Sequence, residues 1–402
     1  MRFAIEQSAN FVAMISFENT KIAFDYKSDR ELRKAYWLFK LVANPTLVKF
    51  GKWFTHFALT LRLPIKGIIK KTIFQQFCGG ETIQECEATT KKLASYKVKS
   101  ILDYSVEGQT SEKNFEATTL EIIATIQEAK NKADIPLAVF KVSGVSRFEI
   151  LEKFNNPETK NSAADFKSFE GVVARVQRIC QAAFDANVPV MIDAEESWIQ
   201  DAIDRIAVEM MKQFNRDKAI VYNTLQMYRH DRLDFFKREL EIAKKEGYVY
   251  AVKLVRGAYM EKERDRAQKM GYPSPINTTK KDSDLLYDAA LQFACENIEH
   301  CAVVAGTHNE GSSMLLTELM SKFNIDKHDQ RVYFAQLLGM SDHISFNLSE
   351  AGYNVVKYVP YGPVREVLPY LIRRAEENTS AAGQTSRELR LIQQEKRRRK
   401  SA

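Results

Sequence analysis

The sequence predicts an α/β fold in which eight parallel strands, each followed by a helix, close into a (βα)8 barrel. From residue 99 onward, short runs of branched or apolar residues alternate with amphipathic helical stretches, the pattern of a parallel sheet. Eight such runs within about 280 residues favour a closed barrel over an open doubly wound sheet. The predicted strands are 99–104, 137–142, 188–193, 219–224, 249–255, 302–306, 331–335 and 355–358.

Helical periodicity defines the rest of the chain. The stretches between the strands predict helices at 115–132, 165–186, 200–214, 231–245, 284–298 and 312–323. Apolar and aromatic residues at helical spacing also predict helices at 29–41 and 46–62. We therefore divide the chain into an N-terminal helical region (1–95), a catalytic barrel (96–380) and a basic C-terminal tail (381–402).

Composition is that of a globular protein, with 45% apolar and 28% charged residues. No run of about 18 apolar residues lacks a charge, and the N-terminus has no secretory pattern, so we expect a cytoplasmic location. The five cysteines show no C-x-x-C pair, which predicts reduced thiols rather than disulfides or a zinc site.

The net charge of +7 is concentrated at the C-terminus. Residues 387–402 hold seven basic and two acidic residues, 7 − 2 = +5, so the remainder carries only +2. This argues against nucleic acid as a partner of the body. The 46–75 region mixes Lys and Arg with aromatic residues, which suits either a packed helix or one lying on an anionic membrane.

Polar residues recur at the ends of the predicted strands, where barrel enzymes place their catalytic groups. Strand interiors of such barrels are dominated by branched aliphatic residues, so packing does not explain a ring of polar ones. The ring comprises Asp103, Lys141, Asp193, Gln226, Arg256, Tyr259, Thr307, His308, Gln336 and Tyr358.

Two adjacent arginines, Arg373 and Arg374, follow the last strand. Neighbours on a helix point about 100° apart, so one or both could be solvated. Alternatively, both guanidinium groups reach one small anion, since they bind carboxylates in bidentate fashion and loops at this position often form anion sites.

Lys141 and Asp193 each end an apolar run. Lys141 is either an active-site cation or a snorkelling side chain. A carboxylate at the barrel mouth needs a cation partner, for which Lys141 or Arg256 is the natural choice. The cluster with Glu195 and Glu196 raises metal binding as a rival, which we disfavour because the other candidate ligands are scattered.

The segment VKLVRGAYMEKE (252–263) contains several candidates. Either Val252 or Lys253 faces the lumen, because side chains alternate along a strand. Gly257 allows close backbone approach and Tyr259 offers an aromatic wall, although a buried strand with a solvated basic end remains possible. His308 is either structural or a contact for a phosphate or cofactor edge. No Gly-rich dinucleotide fingerprint or P-loop is present.

Seven ordered motifs resemble those of the proline dehydrogenase family: FKVSG, IDAEES, NTLQMY, VKLVRGAY, GTHN, YFAQLLGM and KYVPYGPVREVLPYLIRRAEEN. The resemblance covers roughly residues 100–380. It implies a distorted (βα)8 barrel with FAD at the C-terminal ends of the strands, oxidation of L-proline to Δ1-pyrroline-5-carboxylate, and transfer of electrons to a membrane quinone. Because no aldehyde dehydrogenase domain follows, it implies the monofunctional form, peripheral on the inner membrane surface.

The resemblance also implies residue roles. Arg373, Arg374 and Lys141 would bind the proline carboxylate, with Asp193 ordering the cations, and Tyr259, Leu337, Tyr358 and Tyr370 would enclose the ring. FAD would be held by Gln226, Lys253, Arg256, Gly257, Lys280, Thr307, His308 and Glu377. No metal is expected.

Three alternatives stay open. One is a hydroxyproline dehydrogenase, although Tyr358 would leave little room for a 4-hydroxyl group. Another is a barrel lyase using Lys141 or Lys253 as a Schiff base. The third is a non-enzymatic, basic-tailed binding protein.

Overall fold

The computed structural model describes residues 15–44, 46–48, 66–106, 110–380 and 382–401, and contains a closed barrel of eight parallel strands. Each strand pairs with its neighbours in chain order, and β1 closes the ring against β8. The fold class predicted from the sequence is confirmed. The strands are β1 (Lys99–Tyr104), β2 (Ala138–Phe140), β3 (Val190–Ile192), β4 (Val221–Gln226), β5 (Tyr250–Val255), β6 (Cys301–Gly306), β7 (Val332–Leu337) and β8 (Val355–Tyr361).

Helices surround the barrel, and most end in recognisable caps. The helix Ala163–Ala186, for example, begins with a capping box between Ser162 and Asp165 and ends at Asn187 in the left-handed conformation. The helices between strands are Glu112–Ala129, Phe148–Asn155, Ala163–Ala186, Ser197–Phe214, Arg232–Glu246, Met260–Met270, Lys280–Glu296, Glu310–Lys322 and Asp342–Glu350, and Val364–Ser380 follows β8.

Alternation along the strands separates two cores. Side chains such as Ile101, Met191, Tyr222 and Tyr358 form a cluster inside the barrel, whereas a larger cluster fills the space between strands and helices. Since Ala251 belongs to the lumen cluster, Lys253 two residues later also faces the lumen rather than the helices. Charged side chains at the C-terminal strand ends therefore lie above an apolar plug.

Additional helices precede and follow the barrel. Before β1 the chain forms the helices Thr20–Phe24, Asp29–Val42 and Ile83–Ala94, and residues 66–77 form α-helical turns on either side of a π-helical turn. The predicted helix 46–62 falls mostly outside the described residues.

Residues 382–401, treated as a tail in the sequence analysis, form a helix, which we call the C-terminal helix. Its Leu391 and Ile392 are buried against Phe24, Leu32 and Phe39 of the N-terminal helices. No helix among the described residues is both long and apolar enough to span a bilayer.

Candidate active site

The barrel mouth holds a carboxylate between two ammonium groups. Lys253 Nζ donates a hydrogen bond to Asp193 Oδ1, and Lys141 Nζ lies 3.4 Å from Asp193 Oδ2. Burial raises the pKa of Asp193, but the charges of Lys253 and Lys141 outweigh it and hold the pKa below its ordinary value. Asp193 is therefore ionised, and it lies between Lys141, which follows β2, and Lys253, which lies within β5.

Tyr358 of β8 completes this group from the opposite side. Lys253 Nζ donates to the Tyr358 hydroxyl at 2.8 Å and lies 4.9 Å from the ring centroid. The hydroxyl also lies 3.6 Å from Met191 Sδ. Burial and the nearby Asp193 raise the pKa of Tyr358 well above its usual value, so the hydroxyl stays neutral. Its orientation is thus fixed by the same lysine that pairs with Asp193.

Tyr259 lies at the rim of this group, just after β5. Burial raises its pKa, while the positive charges of Lys141 and Arg373 act in the opposite direction. Arg373 thus lies on the same side of the barrel mouth as Tyr259 and Lys141, and the two cations come from separate parts of the chain. Their combined charge suits a small anionic ligand.

The helix Val364–Ser380 supplies the arginine pair. Arg374 is 8% exposed and its guanidinium stacks over the Tyr370 ring at 5.1 Å, whereas Arg373 is half-buried. Burial of Arg374 disfavours the interpretation of both arginines as solvated surface residues. Leu337 ends β7 and packs against the lumen cluster.

A second polar cluster surrounds Arg256, beyond β5 and β6. Its guanidinium donates to Asp284 Oδ1 at 2.6 Å, Thr307 Oγ1 at 2.8 Å and Ser312 Oγ at 2.9 Å. Lys280 is exposed but bonds the other oxygen of Asp284 at 2.6 Å. Two predicted cofactor contacts, Arg256 and Thr307, thus touch directly, and a third, Lys280, joins them through a carboxylate that the sequence analysis missed.

Gly257 has a structural requirement of its own. Its φ is +127°, and a Cβ at this position would lie 2.6 Å from the ring of Tyr228. Any other residue would be strained in that backbone conformation and would displace the tyrosine. The close approach expected from the sequence is therefore made by Tyr228, which that analysis did not identify.

β4 presents unused hydrogen-bonding atoms to the lumen. Gln226 Oε1 and Thr224 Oγ1 are buried and have no hydrogen-bond partner among the described residues. Buried polar atoms are normally paired, and these two sit at alternate positions on the lumen side of one strand, the side of Tyr222. They mark a place where a polar ligand could bind.

His308 lies beyond β6, where its Nδ1 meets Ser341 Oγ at 2.9 Å. Burial, together with the charges of Lys357 and Arg374, lowers the pKa of His308 to about 3. The imidazole is therefore neutral at physiological pH. A neutral ring offers one donor and one acceptor, so the nitrogen not used by Ser341 can face a ligand.

Glu195 and Glu196 do not converge on Asp193. Glu195 accepts hydrogen bonds from the backbone N–H of Ser143 at 3.0 Å and from its hydroxyl, and Glu196 pairs with Lys262. Burial raises the pKa of Glu195 to about 7. The described residues contain no group of three His, Cys, Asp or Glu side chains placed to hold a metal ion.

Gln336 and Glu377 are the two predicted site residues that the described structure does not place at the barrel mouth. Gln336 faces the helices rather than the mouth, because it alternates with the lumen residues Ala335 and Leu337; its side chain bonds the Thr307 carbonyl at 3.1 Å. The side chain of Glu377 lies outside the described part of the structure.

A family model described as proline dehydrogenase matches residues 86–387. Proline dehydrogenase 1, mitochondrial, of Dictyostelium discoideum is 33% identical over 384 residues, covering 85% of this chain and 67% of the relative. The human protein of the same name is 43% identical over 224 residues, which cover 55% of this chain and only 37% of the relative.

A hydroxyproline dehydrogenase of Xenopus laevis is 30% identical over 412 residues, covering 94% of this chain and 88% of the relative. Among solved structures, proline utilization A from Bdellovibrio bacteriovorus superposes with a TM-score of 0.70 and 21% identity, over 90% of this chain and 38% of that chain. At that identity the superposition supports the barrel fold alone.

Proposed function

The chain belongs to the proline dehydrogenase family, and on this basis we propose that it oxidises L-proline to Δ1-pyrroline-5-carboxylate with bound FAD. The observation that carries the proposal is the trio of Lys141, Asp193 and Lys253 at the barrel mouth, with Arg373 on the same side. This arrangement supplies positive charge for a carboxylate beside an aromatic and aliphatic wall. A small cyclic amino acid needs a cation for its carboxylate and an apolar wall for its ring.

The substrate site would be formed by residues from six parts of the barrel. Lys141, Arg373 and Arg374 would bind the carboxylate, which fixes the orientation of the ring. Asp193 would order the lysines. The ring would be enclosed by Tyr259, Leu337, Tyr358 and Tyr370. The positive charge of the pocket favours the neutral form of the substrate amine, which is the form that can be oxidised.

The cofactor site would lie beside it. Lumen atoms of Gln226 and Thr224 that find no partner in the described part of the chain, together with the neutral ring of His308, fit a large polar ligand. FAD would be held by Gln226, Lys253, Arg256, Gly257, Lys280, Thr307, His308 and Glu377. When bound, FAD would accept the hydride that leaves the substrate.

The direct test is anaerobic addition of L-proline to purified protein carrying FAD. We expect the flavin absorbance to bleach with L-proline and to change far less with trans-4-hydroxy-L-proline. Bleaching by the hydroxylated substrate alone would favour a hydroxyproline dehydrogenase, as the Xenopus relative is named. A colourless protein that borohydride traps with a carbonyl substrate would favour the lyase. That alternative is weakened because Lys141 and Lys253 both pair with Asp193, whereas a Schiff base needs a neutral amine.

Arg373→Ala tests the substrate assignment. We expect the KM for proline to rise far more than FAD retention falls, because Arg373 lies on the side of the barrel mouth that holds Tyr259 and Lys141 of the proposed substrate site. Arg238→Ala, an exposed arginine distant from the mouth, is the control. An equal loss of substrate and cofactor binding would remove Arg373 from this role.

We further propose that electrons pass to a membrane quinone and that basic residues of the C-terminal helix hold the protein, cytoplasmic, at an anionic surface. Arg399 is already engaged by Asp29 at 2.8 Å, whereas Arg397 and Lys400 are exposed. Each exposed cation near anionic lipid is worth about 1 kcal/mol.

Replacing both Arg397 and Lys400 by Gln should therefore weaken binding to vesicles containing phosphatidylserine by roughly tenfold or more. The matched control replaces Arg216 and Lys218, two exposed basic residues near the N-terminal end of β4, in the same way. Equal effects of the two double variants would contradict the assignment of the membrane surface.

A further inference from the structure

The segment between β7 and the next helix touches both halves of the proposed active site. We call residues 338–341 the β7 loop. It begins directly after Leu337, which lines the lumen cluster. It ends at Ser341, whose hydroxyl lies 2.9 Å from His308 Nδ1. The position of this loop therefore affects both the proposed substrate wall and the proposed cofactor contact.

The backbone of the β7 loop adopts an unfavourable conformation that neighbouring residues have to stabilise. Gly339 has φ +74°, and a Cβ there would lie 2.2 Å from the carbonyl oxygen of Gln76. Ser341 has φ +51°, in the left-handed region that L-residues seldom occupy. A non-glycine residue persists in this region only where its surroundings hold it.

The contact that fixes Ser341 comes from outside the barrel. Glu388, in the C-terminal helix, accepts a hydrogen bond from the Ser341 backbone N–H. On the other side, Lys357 of β8 donates to the carbonyls of Met340 and Leu337. The family match ends at residue 387, so Glu388 lies just beyond the part of the chain that the family model covers.

Burying the carboxyl group of Glu388 lowers the stability of the fold, so packing alone does not explain its position. It is 3% exposed, and no lysine or arginine of the described ranges forms an ion pair with it; His343 Nδ1 is 3.9 Å away. Glu395, about two turns further along the same face of the helix, is equally buried but is neutralised by Arg398 and Arg399. A buried carboxylate without a direct cation costs stability, unlike one that is paired.

We propose that Glu388 is a positioning residue for the FAD site: it fixes the Ser341 turn, and Ser341 in turn orients the His308 imidazole toward the cofactor. This inference rests on the proposed function, since it takes His308 as a contact of FAD. It assigns to the C-terminal helix a role in cofactor binding in addition to packing.

The test is titration of the full-length protein, stripped of flavin, with FAD, followed by flavin fluorescence. We expect Glu388→Ala to raise the Kd for FAD roughly tenfold, the effect of losing one buried hydrogen bond. Glu388→Gln retains an acceptor for the Ser341 N–H and should stay within about threefold of the wild type. Ser341→Ala combined with Glu388→Ala should give less than the product of the two separate effects, because both act through His308.

Glu395→Ala is the matched control, since it removes a buried carboxylate from the same helix without touching the β7 loop. It should lower the melting temperature of the apo-protein but leave the Kd for FAD unchanged. The inference is overturned if Glu388→Ala binds FAD like the wild type, or if Glu395→Ala weakens FAD binding equally. A wild type that binds no FAD would overturn the proposed function as well, and the wild-type titration alone reveals that case.

Discussion

Replacing Lys141 by Met tests the electrostatic design of the barrel mouth. The substitution removes the ammonium group that lies 3.4 Å from Asp193 while retaining much of the aliphatic volume. Two effects then act on a bound carboxylate in the same direction. One attracting cation is lost, and the negative charge of Asp193 is neutralised by Lys253 alone.

The size of the effect follows from the charge that is removed. If Lys141 meets the substrate carboxylate at the 3.4 Å that separates it from Asp193, the two charges attract by about 5 kcal/mol at an effective dielectric constant of about 20. Desolvation offsets part of this gross energy. A remaining loss of about 2–3 kcal/mol corresponds to a KM for proline that rises roughly 30- to 160-fold. FAD affinity should stay within about threefold, because the cluster around Arg256 is unchanged.

The assay is steady-state oxidation of proline with an artificial electron acceptor, alongside the FAD titration. Lys262→Met is the control, since Lys262 is an exposed cation of the rim that pairs with Glu196. Adding Asp193→Asn to Lys141→Met should recover at least about fivefold in KM, because it removes the carboxylate that repels the substrate. A KM within threefold of the wild type, or no recovery in the double variant, would refute the reasoning.

Three further predictions concern single side chains. Tyr358→Ser should raise the activity on trans-4-hydroxy-L-proline relative to L-proline at least tenfold, whereas Tyr358→Phe, which keeps the ring, should not. Lys357→Met should lower the free energy of unfolding in urea by about 3 kcal/mol, because it removes one of the two lysines that pair with the buried Asp342 and also the donor to two loop carbonyls; a loss below about 1 kcal/mol would contradict this. Burial raises the pKa of Glu195 to about 7, so the folded state holds a proton that the unfolded state releases, and stability should fall as pH rises from about 4.5 to 7. Glu195→Gln should remove that fall, which thermal unfolding at pH 5 and pH 7.5 would show.

The barrel could be predicted because its strands are buried on both sides. Such strands appear as continuous apolar runs, and all eight predicted runs overlap observed strands. The errors lie at the ends. β4 and β7 continue to Gln226 and Leu337, beyond the predicted 224 and 335, because strand ends that line a site carry residues chosen for the ligand.

The helix Asp342–Glu350 shows what periodicity could not detect. All its residues except Glu350 are buried, including Asp342, His343 and Asn347. A helix buried all round has no polar face, so it gives no amphipathic pattern. Its polar groups are satisfied by distant partners: Tyr26 and Lys27 both bond Asp342, at 2.6 and 2.9 Å. Such partners are separated by more than 300 residues and are invisible in the local sequence.

Some residues of the candidate site could likewise be predicted from the sequence, and others could not. Lys141 and Asp193 could be predicted because each ends an apolar run and the barrel topology brings such ends together. Lys253 was predicted as a cofactor contact from its motif, and its pairing with Asp193 was not foreseen. Asp284 and Ser312, which hold Arg256, lie within or at the start of helices where polar residues are ordinary. Their role comes from the partner they meet, and no spacing rule would have selected them.

The buried face of the C-terminal helix could not be predicted from its sequence. Its buried residues Glu388, Leu391, Ile392 and Glu395 are spaced at i, i+3, i+4 and i+7, the pattern of one helical face. Two of the four are glutamates within a run of basic residues, so the hydrophobic signal vanishes and composition indicates a solvated tail. A buried glutamate has to be offset by a specific contact. Glu395 pairs with two arginines of its own helix, so its contacts serve to dock the helix. Glu388 instead accepts a hydrogen bond from the strained turn at Ser341, and through this contact the helix acts on the barrel.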